Sequence, residues 1–261
     1  MQNTFSSPYF VNPLALGATI VTHSSSKYIG GHSDAIGGVV ATADTALLER
    51  LRFSQNAYGA VPSPFDCWLF LRSLKTLAVR ARQHALNALK VAQWLATDAV
   101  AQGCVRPGEV YYPGLAPAVN VATARDDRAV AWSQMSERAR KWCLSLGFLP
   151  PSSAPSASFP CGGMVSFRLQ SAHRHSQTES GAADVFLSSL RVFALAESLG
   201  GVESLAELPL KMTHAGIAEE HRQALGVDAE LVRLSVGIED VDDLVGDLAQ
   251  AFKTAASATL S

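Results

Sequence analysis

Apolar residues recur at positions 74, 78, 81, 85, 88, 92 and 95, in steps that alternate between four and three. That spacing predicts a long amphipathic helix over residues 74–95, with Arg72, Lys75, Arg82, Lys90 and Gln93 off the stripe. Two short β-branched runs, 18–22 and 36–42, read as strands of one α/β layer joined by the turn between them. Residues 45–53 read as a helix on that layer, ended by the turn-rich stretch 58–64. Further on, 164–169 alternates as a strand should. In 231–236, Val232, Leu234 and Val236 share one face while Arg233 and Ser235 project from the other. Helical periodicity covers 184–198, where Gly200 and Gly201 would end the last turn. Asp240 reads as the N-cap of a final helix, with Asp242 and Asp243 in its first turn and Leu244, Leu248 and Phe252 facing inward. The proline- and serine-rich stretch 149–163 reads as an irregular surface loop. No internal repeat is visible.

Composition narrows the class without choosing a function. With 261 residues the chain can form one large or two ordinary domains. A formal net charge of -2 offers no electrostatic reason to expect nucleic acid or an anionic membrane as partner. No apolar run is long enough to span a bilayer. The first residues lack both a basic-then-apolar signal segment and an arginine-rich transit helix, so a cytoplasmic location is expected. Cys67, Cys104, Cys143 and Cys161 lie far apart with no Cys-x-x-Cys pair, which reads as reduced thiols rather than a zinc site or disulfide framework. His173 and His175 have no carboxylate or cysteine at ligand spacing and read as solvated rather than metal-binding.

The chemistry concentrates around Lys27. It follows Ser24, Ser25 and Ser26 and precedes the glycine-rich Gly30-Gly31-His32 turn. A buried lysine is costly because desolvation disfavours its charged form, and it becomes useful when its amine forms a Schiff base with a carbonyl cofactor. Ser24 and Ser26, at spacing two, share a face of an extended segment and offer hydroxyls to an anionic group. Arg233 projects from an otherwise apolar strand and needs an anion. A ligand carboxylate and a protein carboxylate are both open at this point.

The blocks 3–10, 12–18, 22–34, 51–56, 59–64, 74–77, 112–115, 195–201, 203–209, 212–215 and 231–237, in this order, carry a resemblance to a known family. Over residues 3–250 the chain resembles the trans-sulfuration enzymes that use pyridoxal 5'-phosphate, and most of all their cystathionine γ-lyase branch. The resemblance implies the C-terminal part of a fold-type I enzyme. Residues 1–72 would be a remnant of the mainly parallel cofactor-domain sheet, and 73–261 an α+β C-terminal domain. It implies that Lys27 forms the Schiff base and moves protons, and that Ser24 and Ser26 hold the cofactor phosphate. Arg233 and Ser198 would hold a substrate carboxylate, with Glu197 near the distal amino group of the substrate. It implies a small amino-acid substrate, γ-elimination of L-cystathionine, and a homo-oligomer of two or four subunits. Cystathionine γ-synthase chemistry, or a non-catalytic remnant that only associates, stand as alternatives. The family's phosphate-receiving turn and ring-stacking aromatic lie before the region this chain covers. Where the family carries aspartate against the pyridine nitrogen, this chain has Gln2.

Overall fold

A computed structural model describes residues 1–117, 126–170 and 181–258. The reading of His173 and His175 lies outside those residues.

The C-terminal part is a five-stranded sheet backed by helices. Its strands are β3 (Val105–Tyr111), β4 (Met164–Leu169), β5 (Ala194–Leu195), β6 (Leu205–Glu207) and β7 (Leu231–Ser235), arranged β3-β4-β7-β6-β5. All neighbours are antiparallel except β5 with β6. Strict alternation along β7 buries Val232, Leu234 and Val236 completely. Beneath them pack α4 (Leu77–Trp94), α7 (Gly181–Ser189) and α9 (Val241–Ala258). Phe167, Phe186 and Phe252 meet at centroid distances of 4.6 to 5.9 Å in tilted and edge-on pairs, the arrangement aromatic quadrupoles favour. α9 starts as expected: Asp242 N donates to Asp240 Oδ1 at 2.9 Å, and Leu244, Leu248 and Phe252 are buried.

The N-terminal part begins with the short α1 (Ser7–Phe10), which packs on α4 and α6 (Glu137–Ser145). β1 (Ile20–Ser24) and β2 (Gly38–Thr42) pair antiparallel, each displaced by about two residues from its expected start. Gln2 bridges Thr22 in parallel beside them. α2 (Thr45–Tyr58) runs five residues further than expected, from an Asp44 cap accepting Leu47 N at 3.0 Å to the left-handed Gly59. Neither α2 nor β2 contributes a residue to the core.

Three expectations need correction. The helix expected over 74–95 starts three residues late, at Leu77, and Leu74 is the last residue of a separate helix. α3 (Pro64–Leu74) starts at a Ser63 cap, and α4 starts at Leu77 after Thr76 leaves helical angles at φ -105°, ψ 1°. Leu74 is accordingly exposed, while the stripe from Ala81 to Leu95 is buried. The helix over 184–198 stops at Ser189, because the backbone N–H groups of Arg191, Val192 and Phe193 all donate to the buried Asp247 carboxylate on α9. Glu197, Ser198 and Gly200 therefore belong to a loop after β5, not to a helix end. The stretch 149–163 is irregular, yet Phe159 within it is fully buried and its N–H donates to Gly114 O at 2.8 Å. The helices α5 (Arg128–Gln134), α6 and α8 (Glu219–Ala224) have no counterpart in the sequence reading. Among the described residues all four cysteines are free, no metal-ligating cluster forms, and no helix is long and apolar enough to cross a membrane.

The buried face of α4 also carries polar residues. His84 is fully buried, and its Nδ1 sits 2.7 Å from Val236 O. A carbonyl only accepts, so that nitrogen carries a proton. Burial, helped by the neighbouring Arg80 charge, holds its pKa down to about 4 against the Val236 hydrogen bond. The unfolded chain takes up a proton at this histidine from pH 6.5 downward, whereas the folded chain does so only near 4. Stability should therefore fall as pH drops through that window, by about 3 kcal/mol at most from this residue. Urea unfolding between pH 7 and 4 checks this: the slope should be smaller in His84→Gln than in the parent.

Candidate active site

β1 ends at Ser24, and the chain enters a single wide turn, Ser25–Ile29, in which Lys27 departs from helical angles (φ -93°, ψ -131°). The turn is closed by Gly30 N and Gly31 N donating to Ser25 O and Lys27 O, both at 2.7 Å. Its shape is imposed from α4. Arg80, 5 % exposed, donates from Nη1 to Tyr28 O at 2.7 Å and from Nη2 to Ile29 O at 3.1 Å and Ser73 O at 2.9 Å. Its Nε donates to Thr76 Oγ1 at 3.1 Å. Burial lowers the pKa of this guanidinium, and four charge-assisted hydrogen bonds offset the desolvation. Gly31 sits at φ +71° directly against Arg80, where a side chain has no room.

The second wall is the loop after β5. Arg233 and Ser235, on the outward face of β7, hold it: Arg233 Nη2 donates to Ser198 O at 3.2 Å, and Ser235 Oγ accepts from Gly200 N at 2.9 Å. Gly200 takes φ +75°, and a Cβ there would lie 2.7 Å from Tyr28 N. Val202 N then donates to Gly31 O at 2.9 Å, so loop and lysine turn are docked backbone to backbone.

At the seam, Lys27 Nζ donates to Ser198 Oγ at 2.7 Å. Arg233 Nη2 lies 3.0 Å from Glu207 Oε2, directly across the β6–β7 ladder. Burial works against both charges: it pushes the Glu207 carboxyl up, opposed by Arg233, and the Arg233 guanidinium down, opposed first by Glu207 and then Glu197. Tyr28, next to the lysine, is 4 % exposed, and burial pushes its phenol up.

Of the residues singled out in the sequence, Lys27, Ser198 and Arg233 come together. Both alternatives left open for Arg233 bear on it, since one of its nitrogens already has a protein carboxylate. Ser26 Oγ accepts from Gly37 N at 2.9 Å, which ties it to the entry of β2. Ser24 is half-buried, and its hydroxyl has no hydrogen bond among the described residues. Glu197 is exposed and makes no ion pair among the described residues. Sequence reasoning missed Arg80 and Glu207. The readable signal for Arg80 was the run Arg80, His84, Asn87 at i, i+4, i+7 on an apolar helix. For Glu207 it was an acid in a strand whose partner carries an arginine.

The Cys/Met metabolism PLP-dependent enzyme family matches residues 1–135 and 154–253. The chain belongs to this family. It is 48 % identical to the cystathionine gamma-lyase of Saccharomyces cerevisiae over 98 % of its own length and 55 % of that protein's. The crystal structure of cystathionine gamma-lyase from yeast superposes with a TM-score of 0.78 at 47 % identity, covering 98 % of this chain and 55 % of that one. A cystathionine gamma synthase from Xanthomonas oryzae pv. oryzae, in complex with cystathionine, superposes with a TM-score of 0.74 at 37 % identity, again covering 98 % and 55 %. The chain thus spans about half the length of the curated relatives it matches. The family match breaks over residues 136–153, which hold α6 and the start of the following loop.

Pyridoxal phosphate needs an amine for its aldehyde, donors for its phosphate and a partner for its ring nitrogen. The Lys27 amine is half-buried and rests on a neutral hydroxyl rather than a carboxylate. The Ser24 hydroxyl is uncommitted, and the buried Ser25 Oγ has no hydrogen-bond partner among the described residues. This donor set fits the aldehyde and phosphate ends. At position 2 the chain offers a carboxamide, which donates to Thr4 Oγ1 at 3.0 Å, and no negative charge.

Arg80→Met keeps the aliphatic stem but leaves the carbonyls of Tyr28, Ile29 and Ser73 without their donor. It should cost about 3 kcal/mol or more, read as a lower urea midpoint at unchanged slope.

Proposed function

We propose that this chain carries the lysine side of a pyridoxal-phosphate enzyme that cleaves L-cystathionine. With water, γ-elimination gives L-cysteine, 2-oxobutyrate and ammonia. The observation that carries the reading is the convergence on Ser198: its hydroxyl receives Lys27 Nζ at 2.7 Å while its carbonyl receives Arg233 at 3.2 Å. Relatives bearing the cystathionine gamma-lyase name at 40 to 48 % identity support the choice of substrate.

When bound, the cofactor supplies an electron-withdrawing ring that stabilises negative charge on substrate carbon. The chain supplies the rest. Lys27 provides the amine for the aldehyde and, once released, takes a proton from the substrate α-carbon and returns protons to its neighbours. Ser198 holds that amine within reach. Arg233 receives the α-carboxylate through its planar donors, with Ser198 beside it. Ser24 and Ser26 offer hydroxyls to the phosphate, and exposed Glu197 the charge for a distal ammonium. Residues 1–72 are proposed as the cofactor-side unit and 73–261 as the C-terminal domain. Gln2, a neutral carboxamide where the resemblance implies aspartate against the ring nitrogen, would give that nitrogen no negative charge.

Among the described residues Phe53, Tyr58, Val61, Phe65, Trp68, Leu71 and Leu74 are all exposed, and apolar side chains so uncovered favour a homo-oligomer, of two or four copies in the proposed reading. A cytoplasmic location fits the free cysteines. A synthase reading is favoured by the Xanthomonas structure, a synthase whose complex holds cystathionine.

Pyridoxal phosphate added to the purified chain, followed by borohydride reduction and peptide mapping, should place a stable pyridoxyl label on Lys27. Lys27→Ala should lose both the label and the visible absorption band, and labelling elsewhere would refute the assignment. Release of 2-oxobutyrate from cystathionine marks a lyase. Cystathionine formed from cysteine and O-succinylhomoserine marks a synthase.

A further inference from the structure

Arg233 is mostly buried, with its side chain 16 % exposed, and only part of its guanidinium is satisfied. Nη2 meets Glu207 Oε2 at 3.0 Å and Ser198 O at 3.2 Å, while the Phe5 ring lies 6.0 Å from the guanidinium carbon. A guanidinium has five N–H donors. Nε and Nη1 have no hydrogen bond or ion pair among the described residues. Neither is among the fully buried unpartnered atoms, so both remain open to solvent and to an acceptor from outside the chain.

Glu207 is the opposite case, a carboxylate 1 % exposed and held from two sides. Its Oε2 faces Arg233 as an ion pair without a hydrogen bond, and Oε1 accepts from Thr213 Oγ1 at 3.0 Å. β6–β7 pairing sets Glu207 directly opposite Arg233, so its position is dictated by main-chain register rather than by a flexible loop. Arginine side chains carry much rotamer entropy, and an anchored edge removes it before a ligand arrives. The anchor also tempers the charge: with Glu207 beside it, Arg233 is part of a neutral pair, which suits a zwitterionic ligand better than a bare anion.

We propose that Glu207 is a positioning residue for recognition of an α-amino acid: held by Thr213, it pins Nη2 of Arg233 and so orients the guanidinium plane whose remaining N–H groups receive the substrate carboxylate. The proposal rests on the reading of Arg233 as the carboxylate-binding residue, and its test separates the two.

Binding of L-cystathionine to the chain supplied with pyridoxal phosphate is measured by calorimetry for the parent, Glu207→Gln, Glu207→Asp and Arg233→Gln, with thermal midpoints recorded in parallel. Arg233→Gln should abolish binding, and Glu207→Gln should weaken it by about tenfold or more, as expected when one member of a buried charge pair is lost. Glu207→Asp, which keeps the charge, should recover part of the loss. A merely structural pair would lower the midpoint of Glu207→Gln and leave its affinity within about twofold of the parent. That result overturns the role of Glu207 while leaving Arg233 in place. Parent-like binding by Arg233→Gln, or no binding heat with the parent, overturns the underlying reading and this proposal with it. Should Glu207→Gln fail to fold, Thr213→Val frees Oε1 without changing charge. It should weaken binding by about threefold, and unchanged affinity overturns the proposal.

Discussion

Everything that gives the lysine a defined position passes through one buried guanidinium. Arg80 reaches from α4 into the turn after Lys27 and takes the carbonyls of Tyr28, Ile29 and Ser73. A turn with non-helical angles at its centre has carbonyls that neither strand nor helix can satisfy, and such groups are not left bare in a protein interior. One arginine answers two of them and ties the turn to Ser73 O of α3. Four residues further along the same helix face, His84 holds Val236 O, and Asn87 holds Gly237 O and Glu239 O at 3.1 and 2.8 Å. α4 therefore carries two anchor points, one for the lysine turn and one for the end of β7.

The remaining contacts close this frame. Alternation along β7 places Arg233 and Ser235 on one face, and these two residues grip the loop 198–200. Glycine at position 200 lets that loop lie against Tyr28, and Val202 completes the join at Gly31. Ser198 is thereby brought to the lysine by residues more than thirty positions further along the chain. A site built this way depends on β register. A slip of one residue in β7 would turn Arg233 into the core and Val232 out of it.

Much of the frame was legible in the chain. The strands 164–169 and 231–236, the inward face of α9 and the buried stripe of α4 follow from period-two and period-four patterns that burial enforces. α3 was missed although Ser63-Pro64 is a serviceable helix start, because the apolar stripe runs on across the break at Thr76. The helix over 184–198 was overextended because periodicity carries no information about Asp247. That carboxylate, fifty-odd residues away, offers the N–H groups of 191–193 a stronger partner than the next helical carbonyl.

Sequence by itself determined the family, the lysine, the arginine and the faces they project from, since residue type and local period are properties of neighbours along the chain. It could not determine that Arg233 meets Glu207, that Lys27 rests on Ser198, or that Arg80 shapes the turn between them. Those contacts join positions 26, 171 and, for Arg80, 51 and 52 apart in the chain, and only strand pairing and helix packing decide which distant groups share one desolvated space. In that space an unpaired charge or carbonyl is costly, so the partners that tertiary structure delivers, rather than local preference, settle the geometry of the site.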